Sequence, residues 1–156
     1  VSIANYNCPG QIVITGEADA VAEAGTALKE AGARRVLPLK VSGPFHSPMM
    51  RPAGEELAKV FVGVSMNPLK IPYVANINAE VITDCGRIEG LLVDQVSGSV
   101  RWQQSVETMI REGVDTFVEI GPGKTLTGFL RKIDKNVKAY HIGSWEEAVQ
   151  VCEELK

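Results

Sequence analysis

The sequence predicts an α/β protein, and three observations carry the prediction. Residues 115–155 read as strand, helix, strand, helix, the alternation that gives a parallel sheet with helices over both faces. Residues 2–40 read as strand, strand, helix, strand, a mixed α+β unit beside it. The chain has 156 residues, 45% hydrophobic and 22% charged, which suits one domain or a domain with a smaller appendage and excludes a disordered polymer.

Each element has its own local reason. SIANYN at 2–7 alternates and QIVITG at 11–16 is rich in β-branched residues, with Pro9-Gly10 between them as a hairpin turn. Asp19–Ala31 is dense in helix formers, with Ala20, Val21, Ala24, Ala27 and Leu28 as an apolar stripe and Gly32 as the stop. RRVLPLK at 34–40 reads as a β-type run whose Pro38 places it at a sheet edge or a strand end. The order ββαβ is that of a ferredoxin-like βαββαβ unit without its first strand and helix. VSGPFHSP at 41–48 is a loop. Ser47 then caps a helix with Pro48 at its first position, running to about Phe61. Residues 73–83 hold one or two short strands, and 87–96 and 101–113 are helices. Strands at 115–120 and 137–142 alternate with helices at 125–133 and 145–155.

Composition removes several classes of function. No apolar run approaches the roughly 18 residues of a membrane span, and no signal peptide is visible. A net charge of -3 argues against a general nucleic-acid binder. Cys8, Cys85 and Cys152 are few, odd in number and far apart, so a disulfide framework and a zinc site are not expected, which fits a reducing cytosol. The chain opens on Val1 inside an alternating stretch, which reads as a cut.

Among candidate motifs, GPGKT at 121–125 ends like a phosphate loop, but the glycine that a P-loop needs five positions before Gly123 is Val118. The segment reads instead as a tight strand-to-helix turn whose helix N-terminus could hold an anion weakly. His46 lies in a loop between glycine and proline just before a helix, which suits either a general base or a structural histidine bonded to backbone. His141 ends a strand and reads as structural. No G-x-S-x-G elbow, HExxH motif or diagnostic carboxylate pair is present. Ser42 and Ser47 flank His46 too closely to be obvious partners, and Cys8 is a weak candidate thiol nucleophile. Arg34 and Arg35 are adjacent. Lys124, Arg131, Lys132, Lys135 and Lys138 fall within fifteen residues against one acid, Asp134. Such a run is either a solvated helix face or a docking patch for an acidic partner.

Four strings in register carry a family resemblance: ANYNCPGQIVITG at 4–16, AGARRVLPLKVSGPFHSPMMRPA at 31–53, LLVDQVSGSVRWQQSVETMI at 91–110 and GVDTFVEIGPGKTLTGFLRKI at 113–133. Together they resemble the C-terminal half of the malonyl-CoA:acyl carrier protein transacylases. The resemblance implies a partial ferredoxin-like subdomain over 1–40 and the C-terminal part of an α/β-hydrolase-like acyltransferase core over 41–156. It implies ping-pong transfer of malonyl from malonyl-CoA to the phosphopantetheine thiol of acyl carrier protein in fatty-acid biosynthesis, without a cofactor or metal. His46 aligns with the family's base and Gln95 with the residue whose main-chain carbonyl orients it. Phe45 aligns with a position where Phe accompanies malonyl and Ser the bulkier methylmalonyl. Asn5, Asn7 and Gln11 match polar positions near the cleft, and Arg34 and Arg35 match a basic pair that could receive the acidic carrier. The family's serine elbow, GHSxGE, its oxyanion-hole glutamine and its malonyl-binding arginine have no counterpart in these residues. The reading is therefore a base-bearing half of a transferase, its N-terminal half in the same or another chain. An inert fragment, a carrier-binding module and the acyltransferase domain of a larger synthase are the alternatives.

Overall fold

Pro9 and Gly10 close the first hairpin of the computed structural model, which describes residues 1–156. β1 (Ser2–Cys8) pairs antiparallel with β2 (Gln11–Thr15). Gly10, at φ 78°, takes the left-handed second position of the turn while Pro9 sets the first. Helix α1 (Ala18–Glu30) ends as expected at Gly32, φ 95°. The amides of Gly32 and Ala33 turn back to the carbonyls of Lys29 and Leu28, a Schellman motif.

The strand expected at 34–40 is absent, so the opening is ββα and not ββαβ. Those residues are in no ladder. β-propensity is realised only where a partner strand lies alongside. Here the hairpin is two-stranded, Pro38 lacks a donor, and Leu37 and Leu39 stay exposed. The segment instead lies on α1, with Val36 Cγ1 3.3 Å from where a Cβ on Gly25 would stand.

Ser47 caps as expected: its Oγ accepts the Met49 amide at 3.3 Å. Pro48–Met50 form one 3-10 turn, continued by α2 (Arg51–Phe61). α2 packs on α3 (Ile88–Ser97) tightly at buried Gly54, where a Cβ would stand 3.1 Å from the Val93 carbonyl oxygen. Gly54→Leu is expected to push the two helices apart and destabilise the full polypeptide by about 1–3 kcal/mol, read as a lowered urea midpoint. A midpoint unchanged from the parent would show that the crossing is not tight.

Two short strands, β3 (Tyr73–Val74) and β4 (Val81–Ile82), pair antiparallel. They lead through α3 to α4 (Trp102–Arg111), whose inner face buries Ser105, Val106 and Thr108. The turn between α3 and α4 stitches the molecule together. The Val100 amide donates to Ala4 at 2.7 Å, the Tyr6 amide donates to Val100 at 2.9 Å, and the Arg101 amide donates to Asn76 at 2.8 Å.

The closing alternation is as predicted. β5 (Thr116–Ile120) and β6 (Lys138–Ile142) are parallel in register, with α5 (Thr125–Ile133) crossing over and α6 (Trp145–Glu154) following. Cover on both faces is not observed: Ile120 is 78% exposed. Val118, two residues earlier on the same face, is exposed as well. The buried apolar residues are Ala4, Cys8, Ala75, Ile82, Val106, Leu130 and Val151. No helix is long and apolar enough to cross a membrane.

Candidate active site

The loop before α2 is locked from below. Ser47 is buried, and its hydroxyl donates to the Pro44 carbonyl at 2.6 Å. Over that anchor His46 adopts φ 59°, the left-handed region that costs a non-glycine residue of order 1–3 kcal/mol. Phe45 beside it is half exposed, its ring against Gly43.

The end of α3 faces this loop. Gly98 leaves the helix in an extended conformation, φ -97° and ψ 156°, while its amide still donates to Asp94. The next amide, Ser99, is thereby carried away from the Gln95 carbonyl that it would cap in a continuing helix. That freed carbonyl oxygen lies 3.1 Å from His46 Nδ1. A carbonyl only accepts, so Nδ1 carries the proton and Nε2 is left with a lone pair, the tautomer a general base needs. The negative end of the α3 dipole also favours the positive charge the ring would carry after taking a proton.

The side chain of Gln95 folds back on the same turn, its Nε2 donating to the Gly98 carbonyl at 3.0 Å and lying 3.5 Å from His46 Nδ1. Ser99 Oγ donates to the Ile3 carbonyl at 2.6 Å, so β1 is tied to the turn that orients His46. Asn5 forms a bridge with Val100 and is half-buried, as is Asn7. Gln11 is exposed and accepts the Cys8 thiol at 3.6 Å. That buried thiol is 2% exposed, which argues against Cys8 as a nucleophile. Arg34 and Arg35 are exposed on the strandless run after α1 and form no ion pair. Of the proposed site residues, His46 and Gln95 are brought into direct contact across the fold, and Gln11 meets Cys8 across the first hairpin. Ser47, Gly98 and Ser99 were not singled out for this role. Their signal in the sequence is a serine one residue after the histidine and a Gly-Ser pair closing a helix.

The anion site expected at the GPGK turn is already filled. The Glu119 carboxylate accepts the amides of Leu126 and Thr127 at 3.1 and 2.7 Å and the Thr127 hydroxyl at 2.6 Å. Partial burial pushes its carboxyl up. The hydrogen bonds from Thr127 and Leu126 and the nearby His141 outweigh this and hold it below the usual carboxylate range. His141 has the structural role read for it: Nε2 donates to the Gly121 carbonyl at 2.9 Å, and Nδ1 lies 3.4 Å from Glu147. Glu147 accepts the Gly143 amide at 2.6 Å, a bond that lowers its carboxyl below the usual range, and the Ser144 hydroxyl caps α6.

A family model described as the acyl transferase domain matches residues 1–151. The malonyl CoA-acyl carrier protein transacylase of Bacillus subtilis (strain 168) is 42% identical over 156 residues, 100% of this chain and 49% of the relative. That of Escherichia coli (strain K12) is 44% identical over 133 residues, 85% of this chain and 43% of the relative. Among solved structures, MCAT from Streptococcus pneumoniae has a TM-score of 0.92 at 43% identity, covering 98% of this chain and 50% of that one. A malonyl-transacylase in complex with its type II PKS acyl-carrier protein has a TM-score of 0.94 at 38% identity, covering 98% and 50%. The chain spans about half the length of the relatives it matches, and its α/β fold is the acyltransferase fold of those structures over that half. With nearly its whole length matched by the family model and a histidine held in the tautomer of a base, the chain belongs to the acyl transferase domain family.

Proposed function

We propose that these residues supply the base of a malonyl-CoA:acyl carrier protein S-malonyltransferase of fatty-acid biosynthesis. The nucleophilic serine would come from a segment outside residues 1–156, in the same polypeptide or a partner. The observation that carries the reading is the Nδ1–H bond from His46 to the Gln95 carbonyl, which leaves Nε2 free to take a proton.

In the first half-reaction Nε2 takes the serine proton as the hydroxyl attacks the malonyl thioester carbonyl. The tetrahedral adduct collapses, the carbon–sulfur bond breaks, and the imidazolium returns the proton to the coenzyme A thiolate. The second half-reaction reverses these steps with the phosphopantetheine thiol of acyl carrier protein, and the base is regenerated. Gln95 serves as the third member of a triad does, fixing tautomer and ring orientation through its carbonyl. Asn5 and Asn7 on β1 and Gln11 at the start of β2 are proposed substrate contacts. Arg34 and Arg35 are the proposed landing pair for the acidic carrier. Residues 1–40 would be the smaller subdomain and 41–156 part of the core, and the site of action the cytosol.

Phe45, half exposed at the loop surface, is proposed to crowd the α-carbon of the acyl group. Phe45→Ser is expected to raise kcat/KM for methylmalonyl relative to malonyl by about tenfold or more, the scale of one methyl group. An unaltered ratio would remove Phe45 from the specificity pocket.

The function is tested by intact-mass spectrometry of the full polypeptide with malonyl-CoA. The expected result is a malonyl adduct outside residues 1–156 that disappears when holo acyl carrier protein is added. No adduct, or an adduct that the carrier does not discharge, would overturn the reading.

A further inference from the structure

The role of Gln95 read so far belongs to its main chain, which any residue at that position would supply. The side chain does something separate. Its Nε2 donates to the Gly98 carbonyl at 3.0 Å, across the point where the chain leaves α3. Gly98 is confined there: a Cβ would stand 3.0 Å from the Asp94 carbonyl oxygen and 2.0 Å from Ile77 Cδ1. The bond to Gly98 therefore holds open the departure that denies Gln95 O its intrahelical donor and leaves it to His46. The same Nε2 is 3.5 Å from His46 Nδ1. Since Nδ1 already donates to Gln95 O, this is a packing contact between two donors and not a hydrogen bond. Gln95 Oε1 is buried and has no partner, so the amide's place is fixed through its nitrogen. Arg51 and Glu55 on α2 and Asp94 on α3 are exposed, and none is bonded to the ring.

We infer that the Gln95 side-chain amide is a positioning group of the transferase, holding the end of α3 open so that the Gln95 carbonyl orients His46. The inference rests on the proposed function, since it presumes that His46 is the base. It predicts different results for two replacements that both keep the main-chain carbonyl. Gln95→Met keeps the length and loses the bond to Gly98. It should lower kcat about tenfold or more with KM for malonyl-CoA unchanged, because substrate contacts are elsewhere and only the orientation of the base is lost. Gln95→Glu puts a carboxylate beside Nδ1. It should move the acid limb of the kcat/KM profile to higher pH by about one unit or more, because a nearby negative charge favours the protonated ring. A residue needed only for folding would change neither the acid limb nor the split between kcat and KM.

The experiment measures both profiles in the full enzyme with malonyl-CoA and holo acyl carrier protein, beside His46→Ala and with an unfolding midpoint for each variant. A kcat loss in the Met variant together with the shifted acid limb in the Glu variant supports the inference. Parent kinetics in both variants, with His46→Ala inactive, overturns it and leaves the proposed function standing. Activity retained in His46→Ala overturns the proposed function itself. If the Met variant does not fold, the acid limb of the Glu variant decides alone.

Discussion

Alanine at His46, in the full polypeptide, is expected to lower kcat for malonyl transfer by about three orders of magnitude, the middle of the range for loss of a general base. KM for malonyl-CoA should change little, because Nε2 acts on the serine proton and not on bound substrate. Stability should respond differently. His46 holds φ 59°, so part of the folding free energy is stored as strain in the loop. Glycine has no such cost there, and His46→Gly should unfold at the same temperature as the parent or higher while remaining inactive. An inactive variant that is no less stable is the signature of a residue kept for chemistry. Undiminished turnover in either variant would exclude His46 as the base.

The second large effect is on stability and concerns Glu119. Its carboxylate accepts three hydrogen bonds from the first turn of α5 and the Thr127 side chain. Glu119→Gln keeps one acceptor oxygen and turns an NH2 group toward a donor. It should cost about 1.5–3 kcal/mol near neutral pH, the scale of hydrogen bonds to a charged group. The pH dependence follows from the direction of the shift. The folded-state pKa is lowered below the ordinary value of 4.5, so the contribution is complete above that value. It is lost as pH falls through the lower, folded-state value. Urea midpoints of parent and variant should therefore differ most near pH 7 and converge as the solution is acidified through that lowered value. A gap independent of pH would mean that the carboxylate's charge plays no part.

Most elements were legible because their signals are local. Gly32 after an alanine-rich run and Pro9-Gly10 between two alternating runs specify a helix end and a turn by backbone conformation alone. Ser47 before Pro48 did the same for the start of a helix. The strand expected at 34–40 failed because a strand is a property of two segments, and β-propensity cannot report that the second is absent. The cover expected over β5 failed for a related reason, since alternation names the helices and not the face each one occupies.

The site divides in the same way. His46 stood out by type and by its loop. Its partner is a carbonyl, which every residue possesses, so no side-chain pattern could single out position 95; the family resemblance did. The turn at Gly98 and Ser99 matters because it removes a donor. Glu119 was hidden for a simpler reason: a carboxylate on a strand gives no sign that the following turn will bring a helix end down on it.

One consequence of the tie between Ser99 and Ile3 concerns the order of events in folding. The two residues are 96 apart in sequence, and His46 and Gln95 are 49 apart. The capped helices and the first hairpin close over short loops, whereas these contacts require the ends of long ones to meet. Contacts of that range form late and slow the whole transition. The general base would then acquire its tautomer and its aim among the last events, after nearly all of the helical structure is in place. A nascent chain could look folded by its helix content well before its histidine was aimed to act as a base.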